Sequence, residues 1–144
     1  MIEIRPMCSR DEEALAGNLH PADRAELAAA GVDVHRALAG QQAQASLWKG
    51  ELFALFGCVP LEHRGVPWML CTAALDRVPR RAVAACATRV VAEWKTQHRE
   101  LVNIVHRRNV RAQRFLLWLG FSILPDPCGP SHEFLLFRWR FDDV

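Results

Sequence analysis

The sequence predicts an α/β (α+β mixed) fold: a central, mostly antiparallel sheet flanked by helices, in a single domain over residues 1–144. Three observations predict it. A chain of 144 residues suits one hydrophobic core. A composition that is 51% hydrophobic is that of a globular chain rather than a disordered one. Strand-like runs are interrupted by helical ones, in an order that suits a mixed sheet covered on both faces.

The elements follow in order. "MIEIRP" reads as a first strand ended by Pro6. "RDEEALAG" (10–17) reads as a helix with acidic residues in its first turn and Gly17 at its end. "HPADRAELAAAG" is a second helix, with Pro21 in the first turn and Gly31 closing it. "DVHRALAGQQ" is a third short helical piece or a loop. Strand-like runs come next at Ala45–Trp48, Leu52–Val59 and Pro67–Thr72. Lys49–Gly50 forms a tight hairpin turn between the first two, and Glu62–Gly65 connects the next pair. From Pro79 the apolar residues Val83, Ala87, Val90, Val91 and Trp94 recur at three and four, the stripe of an amphipathic helix. Arg80, Arg81, Arg89, Lys95 and Arg99 lie off that stripe. "LVNIV" (101–105) returns to strand, Asn109–Leu119 is a short helix, and strands follow at Phe121–Leu124 and Phe134–Phe141. The last strand alternates Phe137, Trp139 and Phe141 on one face with Arg138 and Arg140 on the other. An exposed edge there would invite a second copy, so a homodimer is expected through it.

The bulk properties exclude several classes. A net charge of +2 is weaker than the clustered surplus of nucleic-acid binders. No apolar run approaches the ~20 residues of a membrane helix, and the charged N-terminus lacks the apolar stretch of a signal peptide. The expectation is a cytoplasmic protein. The five cysteines form no CxxC pair and read as reduced thiols rather than a disulfide frame. Metal binding is not expected: His98 and His106 flank a strand, and Cys128 with His132 supplies only half of a ligand set. "HRRNVRAQR" carries four arginines that could meet a phosphate, but without interleaved aromatics it reads as a solvated helix face.

The short helix carries the sharpest signal. Asn109 suits an N-cap, Gly120 a left-handed C-terminal position, and Ala112, Phe115, Leu116 and Leu119 an inward stripe. Asn109, Ala112, Phe115, Leu119, Gly120 and Phe121, with the element order, resemble the GNAT acetyltransferase superfamily. That resemblance implies acetyl-CoA or CoA as ligand, its pyrophosphate at the N-terminus of the helix after the fourth strand. The matching stretch is "RVPRRA" (77–82), which places Arg77, Arg80, Arg81 and Ala82 near the pyrophosphate and Asn109 near the pantetheine arm. Here Arg80 replaces a glycine, and Pro79 removes a backbone donor. Guanidinium groups could meet the phosphates instead. The family's tyrosine, which protonates the leaving thiolate, corresponds to Leu116, and the chain has no tyrosine. Cys71 or a water could serve in its place. Glu62 and His63 sit in a turn where an amine could be deprotonated, although a solvated turn is the plainer reading.

A narrower resemblance covers the departures. Ile4–Arg5–Pro6, Leu101/Asn103/Val105, Arg114–Phe115–Leu116 with Trp118–Leu119–Gly120, and Gly129 before Glu133–Phe134 and Phe137 are similar to small virion or head-morphogenesis proteins of podophages, which look like degenerate GNAT domains. Two functions are therefore expected. One is a phage or prophage protein with phage structural proteins as partners and a role in virion assembly, located in the host cytoplasm or the virion. The other is an active N-acetyltransferase acting on an amine that the sequence does not name.

Overall fold

The computed structural model describes residues 1–143. Its strands are β1 (Ile2–Pro6), β2 (Gln44–Trp48), β3 (Glu51–Leu61), β4 (Arg64–Cys71), β5 (Glu100–His106), β6 (Ser122–Ile123) and β7 (Phe134–Arg140). Its helices are α1 (Ser9–Gly17), α2 (Pro21–Ala30), α3 (Val34–Leu38), α4 (Arg80–Gln97) and α5 (Val110–Trp118). The strands form one seven-stranded sheet in the order β1-β2-β3-β4-β5-β7-β6. β4 and β5 run parallel; β1–β2, β2–β3, β5–β7 and β6–β7 are antiparallel. The predicted fold class is observed.

By contacts the chain divides into two compact units, Met1–Gly57 with Trp68–Cys86, and Cys58–Pro67 with Ala87–Val144. In the first unit, Leu15 of α1, Leu19 after it, and Val34 and Leu38 of α3 are buried with Ala45, Leu47, Leu55 and Leu70. Phe53, Ala54, Cys71, Ala74 and Val78 form a second cluster there. The turn Lys49–Gly50 has both φ values positive (51° and 80°), as a two-residue hairpin requires. Asp33 caps α3 by accepting the Arg36 N–H, so the ambiguous third piece is a helix.

α1 begins differently from the prediction, one residue earlier at Ser9. The Asp11 carboxylate, 4% exposed, accepts the Cys8 N–H at 2.8 Å and takes a two-pronged bond from Arg5 at 2.6 and 2.9 Å. The Arg5 contact holds the Asp11 carboxyl down at about 2 against the opposing effect of burial.

In the second unit, Val91, Leu101, Val105, Phe121 and Phe137 form the core, joined by Trp94, Ala112, Leu116, Leu119, Leu135 and Trp139. Gly65 is buried beneath Cys58 and His98: a Cβ there would lie 2.6 Å from Cys58 Sγ and 2.7 Å from His98 Cδ2. Gly65→Ala should therefore lower stability by about 1–3 kcal/mol through overpacking. Chemical denaturation checks this, and an unchanged midpoint would mean that His98 swings aside freely. Burial pushes the neighbouring Cys58 thiol up to about 11, which makes it an inert thiol.

Three expectations are corrected. The connection before β4 is the turn Glu62–His63 rather than Glu62–Gly65, with Glu62 at φ 59°, and the strand resumes at Arg64. β7 lies between β5 and β6 and is not the edge strand of the sheet; β6 pairs with it at Arg138 and Phe137. Phe141 has left the strand; it is 59% exposed and meets the Arg99 guanidinium carbon 5.9 Å from its ring. Arg99 itself lies beyond α4, which ends at Gln97. No helix of the described residues is long and apolar enough to cross a membrane.

Candidate functional site

The predicted site residues fall at two helix starts and are taken unit by unit. In the first unit, Thr72 closes β4. Its N–H donates to Phe53 O and its hydroxyl donates to Leu52 O while accepting the Ala74 N–H, which starts a 3₁₀ turn at Ala73–Arg77. Backbone direction alternates along a strand. The N–H and C=O of Cys71 therefore point away from β3. Both are already used: Cys71 N–H donates to Asp23 Oδ2 at 2.6 Å, and Cys71 O accepts the His20 N–H at 2.8 Å.

His20 and Asp23 come from the start of α2. The His20 ring accepts the Ala22 N–H at Nδ1, which leaves the proton on Nε2 facing Asp76 at 3.2 Å. Burial is the largest influence on Asp23 and raises its carboxyl to about 6, with the Glu26 charge adding to the rise; the Cys71 N–H and nearby His20 oppose it. The Cys71 thiol is 3% exposed, so the expected stand-in for a proton donor is enclosed.

The stretch 77–82 turns into α4. Arg77 donates to both carboxylate oxygens of Glu51 at 2.8 Å across exposed surface. Arg80 and Arg81 occupy the first turn of α4, both exposed, and that turn has no acidic residue. The Ala82 and Val83 N–H groups both reach Pro79 O, so the donors left at the helix start are those of Arg80 and Arg81. Two cations at the positive end of a helix dipole repel it. A bound dianion would reverse that balance, so this half of the stretch fits a diphosphate by charge while lacking the glycine's bare backbone.

In the second unit, β4 pairs with β5 at Arg64–Gly65 opposite Glu100–Leu101. Pro67 has no N–H to continue the ladder, and its carbonyl instead accepts Asn103 Nδ2 at 2.8 Å. α5 then forms as its sequence directs. Asn109 Oδ1 accepts the Ala112 N–H at 3.2 Å, which makes Asn109 the N-cap. At the other end Gly120 has φ 99°, Phe121 N–H donates to Leu116 O and Gly120 N–H to Leu117 O, a Schellman closure. Leu116, in the tyrosine's place, packs into the core. A groove of about 390 Å³ between α4 and α5 is lined by Thr88, Val91, Ala92, Lys95, Trp118 and Leu119. Lys95 Nζ sits 5.0 Å from the Trp139 ring centroid, and Trp118, 62% exposed, stacks on Phe115. Glu62 and His63 are exposed in their turn, where His63 O accepts the Arg99 N–H. Among the described residues no three His, Cys, Asp or Glu side chains converge as metal ligands would.

Solved structures show which fold this is. An acetyltransferase from Thermus thermophilus matches at TM-score 0.69 and 17% identity, over 97% of each chain. The fold is that of the GNAT acetyltransferases. A GNAT-family acetyltransferase from Streptococcus pneumoniae matches at TM-score 0.62 and 14% identity, over 97% of this chain and 99% of that one. The PaiA N-acetyltransferase of Thermoplasma acidophilum, solved with coenzyme A, matches at 0.67 and 13%, over 97% and 99%. No family model and no curated protein matches the sequence. On this GNAT fold, Arg80, Arg81 and Ala82 lie at the start of α4, Arg77 ends the 3₁₀ turn before it, and Asn109 lies at the start of α5. Sequence reasoning missed His20, Asp23 and the Pro67–Asn103 bond, because each depends on a partner distant in the chain.

Proposed function

We propose that the chain is an acetyl-CoA-dependent N-acyltransferase that holds the diphosphate of its donor with Arg80 and Arg81. The observation that carries this reading is the first turn of α4, two arginines and no acid, on a fold whose neighbours are acetyltransferases, one of them solved with coenzyme A. Bound acetyl-CoA would supply the activated acyl group. This chain's residues would anchor the phosphates through guanidinium forks and keep the short helix rigid between Asn109 and Gly120. With acetyl-CoA bound, an acceptor amine would take the acyl group from sulfur, and the CoA sulfur would leave as thiolate. Leu116 cannot donate a proton and the Cys71 thiol is enclosed, so both the proton for the thiolate and the acceptor for the amine's proton would have to be water. Calorimetric titration with acetyl-CoA and CoA tests the reading. Micromolar binding, about −8 kcal/mol, is expected, with thiol release on adding an amine panel. Absence of heat at millimolar ligand would sink it.

One observation favours a second reading, a GNAT-fold phage or prophage protein without catalysis that acts in virion assembly with phage structural proteins. An extended, amide-bearing arm seeks free backbone groups along a strand edge, and at Cys71 those groups are already taken by His20 and Asp23. Under this reading acetyl-CoA gives no heat, and the protein co-purifies with phage particles.

A further inference from the structure

The second unit has a sheet face that its core does not use. Along the β5–β7 ladder, Leu101, Val105, Phe137 and Trp139 point into the core under α4 and α5. The alternate residues Val102, Ile104, Leu136 and Arg138 share the opposite face, half-buried and outside every core cluster. One end of this face is walled by the loop before β7, where a Cβ on Gly129 would come within 3.1 Å of Ile104 Cδ1. At the other end Glu100 accepts Arg140 Nε at 2.7 Å and pairs with Arg64 at 3.5 Å, so its carboxylate is shared between two cations.

Arg138 stands between them, opposite Val102 on one side and Ser122 on the other. Its Nε is buried with no hydrogen-bond partner, and among the described residues no carboxylate pairs with its guanidinium. A buried donor left unpaired costs free energy and calls for a partner. The chain thus places Arg64, Arg138 and Arg140 beside an apolar floor, with Glu100 bonded to two of them and the Arg138 Nε donor unfilled.

We propose that this face binds a small carboxylate-bearing molecule, its carboxylate on the Arg138 fork and its apolar body on Val102, Ile104 and Leu136. The guanidinium edge matches a planar carboxylate in two-pronged fashion. A single half-buried fork on an aliphatic floor suits one small anion with an apolar body. A nucleic acid would need a row of exposed cations. As the seat of the acyl acceptor, which then carries both an amine and a carboxylate, the assignment rests on the acyltransferase reading; as a carboxylate site it stands without it.

The test is a heteronuclear NMR titration of the full chain with isocaproate and, separately, with its uncharged amide, following the amides of Val102, Ile104 and Arg138. Isocaproate should shift these three to saturation and the amide should not. Arg138→Gln should weaken isocaproate about tenfold or more, and Arg138→Lys, which keeps the charge but not the fork, should fall between. Equal shifts with acid and amide, unchanged affinity in Arg138→Gln, or no shift to about 10 mM would overturn the proposal. If Arg138→Gln fails to fold, the comparison of acid with amide on the natural chain decides alone. Acetyl-CoA is added to the same sample: isocaproate binding with a silent α4 start would sink the acyltransferase reading and leave the carboxylate site standing.

Discussion

Replacing Arg80 and Arg81 together with alanine should abolish most acetyl-CoA binding and, at the same time, make the ligand-free protein more stable. Each guanidinium–phosphate contact contributes about 1.5–3 kcal/mol, so losing two should weaken binding by roughly a hundredfold or more. The two cations sit in the first turn of α4, which has no acid to offset them. Removing each should relieve about 0.3–1 kcal/mol of repulsion with the helix dipole, which raises the melting temperature by a few degrees, roughly 2–4 °C per kcal/mol for a chain of this size. A structural role for these side chains would lower stability and leave affinity alone. Calorimetry and thermal melting on the same variant separate the two. Affinity unchanged within twofold, an order-of-magnitude criterion, would move the phosphate site away from α4.

The two partly enclosed aspartates should respond to pH in opposite directions. Asp11 is held at about 2 by Arg5, below its unfolded value. Its contribution is therefore present at neutral pH and is lost as pH falls from about 4 through 2. Asp11→Asn should cost about 1–3 kcal/mol at pH 7 by giving the Arg5 guanidinium and the Cys8 N–H a neutral, poorer acceptor. Asp23 is raised to about 6 by burial. The folded state then binds the proton more tightly than the unfolded one, and stability declines as pH rises from about 4 through 6. Asp23→Asn keeps an acceptor for the Cys71 N–H and removes the enclosed charge, so above pH 6 it should be more stable than the natural chain by up to about 2–3 kcal/mol. Near pH 4 the two proteins should converge. Denaturation midpoints across this range check the pair; parallel curves for Asp23→Asn and the natural chain would show that the carboxylate is solvated as fully in the folded state as in the unfolded.

What the sequence by itself determined is what local chemistry controls. A residue at φ 51° followed by glycine turns the β2–β3 hairpin, Pro21 and Gly31 bound α2, and Asn109 with Gly120 bounds α5, because caps and turns are satisfied within a few residues. The α4 stripe was legible for the same reason, since burial follows the helical period. The arginines of its first turn were named from the resemblance of residues 77–82 to the GNAT phosphate-binding loop.

Tertiary structure decided everything that depends on which strand lies beside which. The last strand looked like an edge, but β6 returns beside it, an ordering that no local pattern encodes. Asp23 and Cys71 are 48 positions apart, and the bond between them fills backbone groups that an alternating strand would otherwise present free. Asn103 reads as one more residue of a strand until Pro67, 36 positions earlier, supplies a carbonyl without an N–H. Arg138 reads as the polar side of an alternating strand; only the β5–β7 register sets it on an aliphatic floor beside a glutamate already claimed by two other arginines. For the three cases within the sheet the reason is common. A side chain's partner across the sheet is set by strand order and register, and these come from burying the whole apolar face at once rather than from the residues on either side.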